Sequence, residues 1–154
     1  DVTIQAQILE VLKKARDETH AATILITHDL GLIAELADRV IVMYGGRIVE
    51  MGDVHTIFAG PRNPYTIGLM ESLPRVSVDD DWLRPIPGQP PSLINRPPGC
   101  SFHPRCFLSQ GRARCREEVP ALRPIEETAH LSRCHFAEEL IGRGSKLHET
   151  VEQS

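Results

Sequence analysis

The 154-residue chain has no run approaching the about eighteen consecutive apolar residues of a membrane-spanning helix. Nor does a basic and then apolar secretory leader precede Ile4. A bilayer span is thereby excluded within this sequence, and a reducing compartment is the expectation for its cysteines. Aromatic residues make up only 5 %, with one tryptophan. They are not interleaved with the arginines, which argues against the stacking surface of a nucleic-acid binder. No internal repeat is present, which excludes an array of stacked units. Methionine is missing from the first position, and Asp1-Val2-Thr3 runs straight into a helical pattern. The expectation is a segment of a longer polypeptide.

What is present has the hydrophobic content, 41 %, and the formal charge, -4, of an ordinary soluble protein of one-domain size. Its character changes along the way. Residues 1–75 hold ten acidic and seven basic residues with regular apolar spacing. Residues 76–154 hold eleven and ten, together with all four cysteines. Ten of the twelve prolines lie between Pro61 and Pro104. An ordered first half, a Pro-rich connection and a small cysteine-bearing module are expected.

The first half is organised around residues 23–52. Ile24, Leu25 and Ile26 have the composition of a buried strand, with His28 and Asp29 at its carboxyl end. A short helix is expected over residues 30–37 and a strand from Val40 to Tyr44. Gly45-Gly46 is a two-residue hairpin signal, and Arg47 to Met51 is the returning arm. This is the edge of an α/β domain, with a histidine where such folds place ligands. Two readings of Thr27-His28-Asp29 stand side by side. In one, Asp29 caps the following helix and His28 is a satisfied side chain at a domain edge. In the other, His28 reaches across a cleft to a phosphate oxygen or a water.

Upstream, Thr3 is a candidate cap for a helix whose stripe is Ile4, Ile8, Val11, Leu12 and Ala15. Downstream, Asp53 opens a short helix with Val54, Ile57 and Phe58 on its apolar face. Gly60 to Pro64 breaks the pattern, and Tyr65 to Leu73 resumes it until Pro74. Asp79-Asp80-Asp81 reads as a solvated bend. The prolines after Trp82 forbid a helix or a central strand. Trp82, Leu83, Ile86, Leu93 and Ile94 nevertheless punctuate the stretch, the pattern of an extended strap packed on a surface.

Cys100, Cys106, Cys115 and Cys134 are spaced C-x5-C-x8-C-x18-C. The even count allows two disulfides. Four thiolates also suit Zn²⁺ or an iron–sulfur cluster, and free thiols are a further reading. Neither zinc-ribbon nor bacterial ferredoxin spacing is present. His103 and His135 are substitute ligands should only three cysteines bind. No acidic residue occurs from Trp82 to Arg116, whereas Arg84, Arg96, Arg105, Arg112, Arg114 and Arg116 do. Such charge would offset thiolates and lower thiol pKa values. A module this poor in large aliphatics would draw folding energy from a four-ligand centre. A last helix over residues 126–141, anchored by Leu131, Phe136, Leu140 and Ile141, is expected before a frayed tail.

Several of these pieces recur in one order elsewhere. I-L-I-T-H-D-L (residues 24–30), Ala37-Asp38-Arg39-Val40, residues 43–50 with Gly52, N-P-Y-T (63–66) and P-P-G-C-S-F-H-P-R-C (97–106) with Cys115 and Cys134 together resemble the C-terminal half of bacterial dipeptide/oligopeptide ABC transporter ATP-binding subunits. The resemblance runs to about Leu140. It implies the C-terminal part of a P-loop ABC-type nucleotide-binding domain (1–75), a Pro-rich strap (76–99), a four-cysteine extension (100–141) and a tail (142–154).

The resemblance also implies roles. Asp1 falls where the family's D-loop ends, and His28 falls at the switch histidine. Cys100, Cys106, Cys115 and Cys134 match the cysteines of an extension that holds a [4Fe-4S] cluster, with zinc as the alternative. ATP and magnesium, a second ATPase subunit, two membrane permeases and a periplasmic peptide-binding protein are the implied cofactors and partners, at the cytoplasmic face of the inner membrane. The G-x-x-x-x-G-K-[ST] phosphate loop, the Walker B strand and the signature helix do not occur in these 154 residues. The chain alone is therefore expected neither to bind nor to hydrolyse ATP. Half a sheet is also expected to leave an open edge and an uncovered helix face. A non-enzymatic interaction module stabilised by a metal or cluster is the rival reading.

Overall fold

The computed structural model describes residues 2–72 and 85–142, with backbone only for residues 2–6. Asp1, the stop at Pro74, the aspartate bend, Trp82, Leu83 and the tail lie outside these residues. The chain forms two compact units, residues 1–36 and 37–154. No helix among the described residues is long and apolar enough to cross a membrane.

In the first unit, helix α1 (Val2–Thr19) follows the expected three- and four-residue apolar spacing. It begins at Val2, so Thr3 lies inside the helix and is not its cap, contrary to the sequence expectation. His20, at φ 52°, turns the chain out of it. The stripe is largely uncovered, with Ile8 54 % and Val11 67 % exposed. Helix α2 (Leu30–Leu36) is capped by Asp29, whose Oδ1 accepts from the N–H groups of Gly31 (2.9 Å) and Leu32 (3.2 Å). Lys13 pairs with Glu35, and Arg16 donates to the Leu36 carbonyl. Residues 24–26 do not form the expected strand, and Ile24 and Ile26 are almost fully exposed. The reason is physical: no strand of the described sheet pairs with them, and a lone strand has only water for its backbone groups.

The second unit is built on the hairpin of β1 (Arg39–Tyr44) and β2 (Arg47–Asp53). Gly45 and Gly46 both take positive φ, 56° and 74°, as a tight two-residue turn between twisted strands requires. The pairing steps from Val42↔Glu50 to Met43↔Ile48 and passes over Val49, a bulge. Asp53 then caps α3 (Val54–Ala59) through the N–H groups of His55 and Thr56. Asn63 caps α4 (Pro64–Glu71), with Pro64 in the first turn where its missing N–H costs nothing. Residues 85–99 have no regular structure. Within them Ile86 packs on the core, while Leu93 and Ile94 point outward.

Beyond residue 100 come a 3₁₀ turn (His103–Arg105), α5 (Ala113–Glu117), the two-residue strands β3 (Arg123–Pro124) and β4 (Leu131–Ser132), and a second 3₁₀ turn (Ala137–Leu140). The sheet order is β1-β2-β4-β3. The long helix expected over residues 126–141 is thus absent. Glu126 and Glu127 adopt φ 51° and 57° in the turn joining β3 to β4, and β4 pairs with Glu50 and Met51 of β2. The free hydrogen-bonding edge of β2 outweighs local helix propensity. Of the expected anchors only Leu140 is fully buried. The core of this unit is Tyr44, Val49 and Phe102, with Tyr65 against them; ring centroids lie 4.5 to 5.4 Å apart in tilted and edge-on contacts.

Candidate functional site

All four cysteines are free thiols and line one cavity, together with Phe102, His103, His135 and Phe136. The first three are delivered by one compact stretch. Gly99, at φ 67°, lies so close to α5 that an added Cβ would sit 2.5 Å from the Cys115 carbonyl oxygen. Glycine there lets the Cys100 N–H donate to that carbonyl at 2.9 Å, joining the first and third cysteine segments. Cys106 follows the first 3₁₀ turn, and Cys115 is buried on α5. Cys134 arrives separately, two residues after β4.

Backbone N–H groups reach three of the four sulfurs. The Phe136 N–H donates to Cys134 Sγ at 3.4 Å. Those of Phe102 and His103 act on the Cys100 sulfur, and those of Leu108 and Ser109 on Cys106. Burial nevertheless dominates and raises every thiol pKa, Cys106 to about 11 and Cys134 to about 12, with the neighbouring cysteines adding to the rise at Cys106, Cys115 and Cys134. This corrects the expectation that the arginines would lower them. Arg47 acts that way on Cys100, and Arg112 and Arg114 on Cys115, but desolvation outweighs all three. His103 Nδ1 and His135 Nε2 each lie 2.9 Å from a backbone carbonyl, of Cys100 and Glu118 respectively.

Among the described residues no group of three or more His, Cys, Asp or Glu side chains is arranged to hold a metal ion as it stands. A single zinc, at about 2.3 Å from each sulfur, would need the thiolates gathered nearly into contact. The four thiols instead surround a shared space. Of the nucleotide-site residues expected from the sequence, His28 lies exposed in the turn before α2, and Asp1 is outside the described residues.

One buried constellation escaped the sequence reading. Glu50 is fully buried on β2, and its Oε1 accepts from the Arg62 N–H and lies 2.7 Å from Nε2 of His130, itself 5 % exposed. Around this pair, Asn63 Nδ2 donates to the carbonyls of Val49 (3.1 Å) and Arg133 (3.3 Å). Arg133 donates to those of Ile48 and Pro120, and Ser132 Oγ to that of Arg62. The one available signal was a charged residue inside the strand R-I-V-E-M-G, because its partner lies eighty positions away.

Residues 49–115 match the model of the oligopeptide/dipeptide transporter C-terminal region. The chain is thus similar to that family over those residues. It is 46 % identical over 143 residues to the dipeptide transport ATP-binding protein DppD of Escherichia coli, covering 93 % of this chain and 43 % of that protein. It is 48 % identical over 146 residues to the oligopeptide transport ATP-binding protein OppD of Mycobacterium bovis, covering 94 % of this chain and 23 % of that one. A putative peptide import ATP-binding protein of Brucella ovis is 46 % identical over 140 residues, 87 % of this chain and 40 % of the relative. The chain therefore spans less than half the length of these relatives. Its mixture of helices with a small sheet agrees with the C-terminal part of an ABC ATPase domain.

Proposed function

We propose that the chain is the C-terminal portion of the ATP-hydrolysing subunit of a peptide-importing ABC transporter. What carries this reading is the 46 % identity to a dipeptide transport ATP-binding protein across 93 % of the chain. In the intact subunit, residues 1–75 complete the ATPase domain, 76–99 form the strap, 100–141 the cysteine extension and 142–154 the tail. His28 acts at the γ-phosphate of magnesium-bound ATP or its attacking water, and Asp1 couples two such sites. A second ATPase subunit and two permeases are the partners, at the cytoplasmic face of the membrane. A periplasmic peptide-binding protein supplies the cargo.

Cys100, Cys106, Cys115 and Cys134 are assigned to a [4Fe-4S] cluster. Support comes from four unpaired thiols around one cavity and from backbone N–H groups that reach three of the sulfurs. When bound, the cluster supplies cross-linking energy to a module with a small core. The protein's part is to hold the sulfurs and exclude water, and binding displaces protons that burial otherwise keeps on them.

The test uses the intact subunit, prepared without oxygen and assembled with its partner ATPase. His28→Ala is expected to cut ATP turnover at least about tenfold while nucleotide binding survives. Unchanged turnover removes His28 from the site. About four iron and four sulfide per chain are expected; one zinc in their place overturns the cluster assignment.

A further inference from the structure

The segment carrying Cys134 is fastened to the rest of the cavity by two adjacent glutamates. Glu138 and Glu139 sit on the 3₁₀ turn Ala137–Leu140, whose Ala137 and Leu140 are fully buried. Glu139 grips Arg112 through both oxygens, with Nη1–Oε1 2.8 Å and Nη2–Oε2 2.9 Å. Arg112 stands at the start of α5, which bears Cys115, and its guanidinium carbon lies 4.1 Å from the Phe136 ring centroid. Glu138 grips Arg123 of β3 in the same forked manner, with 2.8 Å between Nη2 and Oε2. Arg123 in turn donates to the Cys134 carbonyl at 3.4 Å. Forked arginine–carboxylate pairs fix geometry as well as adding attraction.

The other three cysteines have no need of such a clasp. They follow one another within residues 100–115, tied by the bond from the Cys100 N–H to the Cys115 carbonyl. Cys100 and Cys106 also pack on Tyr44, Val49 and Phe102. Three ligands thus belong to a base fixed by the core, and the fourth belongs to an element seated by the buried Ala137 and Leu140 and clasped at the surface by two forked ion pairs.

We propose that residues 134–140 are a lid over a three-cysteine base, and that Glu138 and Glu139 are positioning residues that bring Cys134 to its place by clasping Arg123 and Arg112. The inference deepens the four-cysteine reading and rests on it only for the identity of the guest. The lid is a property of the chain itself. Opening it withdraws one sulfur of four and leaves three grouped.

The full chain, metal-free and reduced, tests this directly. The rate at which each cysteine reacts with iodoacetamide is followed by peptide mass spectrometry. In E138Q/E139Q, Cys134 is expected to react roughly five- to thirtyfold faster, the range two forked surface pairs support. Cys100, Cys106 and Cys115 are expected to change less. In the unaltered chain, raising salt to about 1 M should selectively speed Cys134 by screening both pairs. Unchanged Cys134 reactivity in the variant overturns the proposal. If the variant unfolds and all four cysteines react alike, the salt series on the unaltered chain decides: selective speeding of Cys134 supports the lid, and its absence refutes it. Iron and sulfide measured on a separate anaerobic sample report the guest. Little iron alongside selective Cys134 reactivity keeps the lid and discards the cluster.

Discussion

Replacing His130 by leucine probes the buried network at its most exposed point of failure. Glu50 has no access to solvent, and its Oε1 is supported by His130 Nε2 and the Arg62 N–H. Its Oε2 has no hydrogen-bond partner among the described residues. Removing His130 leaves the carboxylate with one donor, and breaking a buried pair from one side costs about 3–5 kcal/mol. Glu50→Leu strands the Arg62 N–H and the imidazole, at about 1–3 kcal/mol per orphaned group. The double variant E50L/H130L removes both titratable partners and leaves only the Arg62 N–H orphaned, about 1–3 kcal/mol. The two substitutions should therefore be strongly non-additive, with the double variant more stable than H130L alone. Urea unfolding of the full chain followed by circular dichroism measures this, and H130L should lower the midpoint by about 2 M. A loss below about 1 kcal/mol for H130L, or simple additivity, would refute the view that Glu50 and His130 act as one buried unit.

Three further outcomes follow from the same structure. Gly99→Ala places a Cβ 2.5 Å from the Cys115 carbonyl and forces a positive φ on alanine. It should cost at least about 2 kcal/mol and raise total thiol accessibility, read by a melting curve and a thiol titration. Asn63→Ala removes a helix cap and two carbonyl partners, about 2–3 kcal/mol in urea unfolding. Asn63→Asp keeps the cap but turns a carboxylate onto the carbonyls of Val49 and Arg133, so it should cost at least as much. Phe102→Ala empties the aromatic centre between Tyr44 and Tyr65, expected to lose about 3–5 kcal/mol by thermal or urea melting.

Local signals carried the elements whose determinants are local. The stripe of α1, the paired glycines at 45 and 46 and the helix starts at Asp29 and Asp53 all act within a few residues, and each marks structure where expected; Asn63 and Pro64, read as part of a breaker, instead cap and open α4. The failures share a different cause. Residues 24–26 have strand composition but no strand to pair with, so composition alone could not order them. Residues 126–141 carry helix-spaced apolar side chains, yet the β2 edge claims Leu131 and Ser132. The arginines near the cysteines were read by charge alone, whereas the thiol pKa values follow burial, which spacing does not disclose. The four cysteines were visible as a set. That Cys134 would come from a separate element clasped by Glu138 and Glu139 was not.

The sheet order has a consequence for direction. Beside β2 the ladder continues for only two short rungs, and the last strand, β3, ends in Pro124, which has no N–H to offer a newcomer. On the opposite flank β1 runs six residues, and no described strand pairs with its outer side. Ile41 and Met43 remain exposed on that strand. The cysteine-bearing module thus works as a bookend. Among the described residues the longer free edge, and the one with N–H groups to offer along its length, is that of β1.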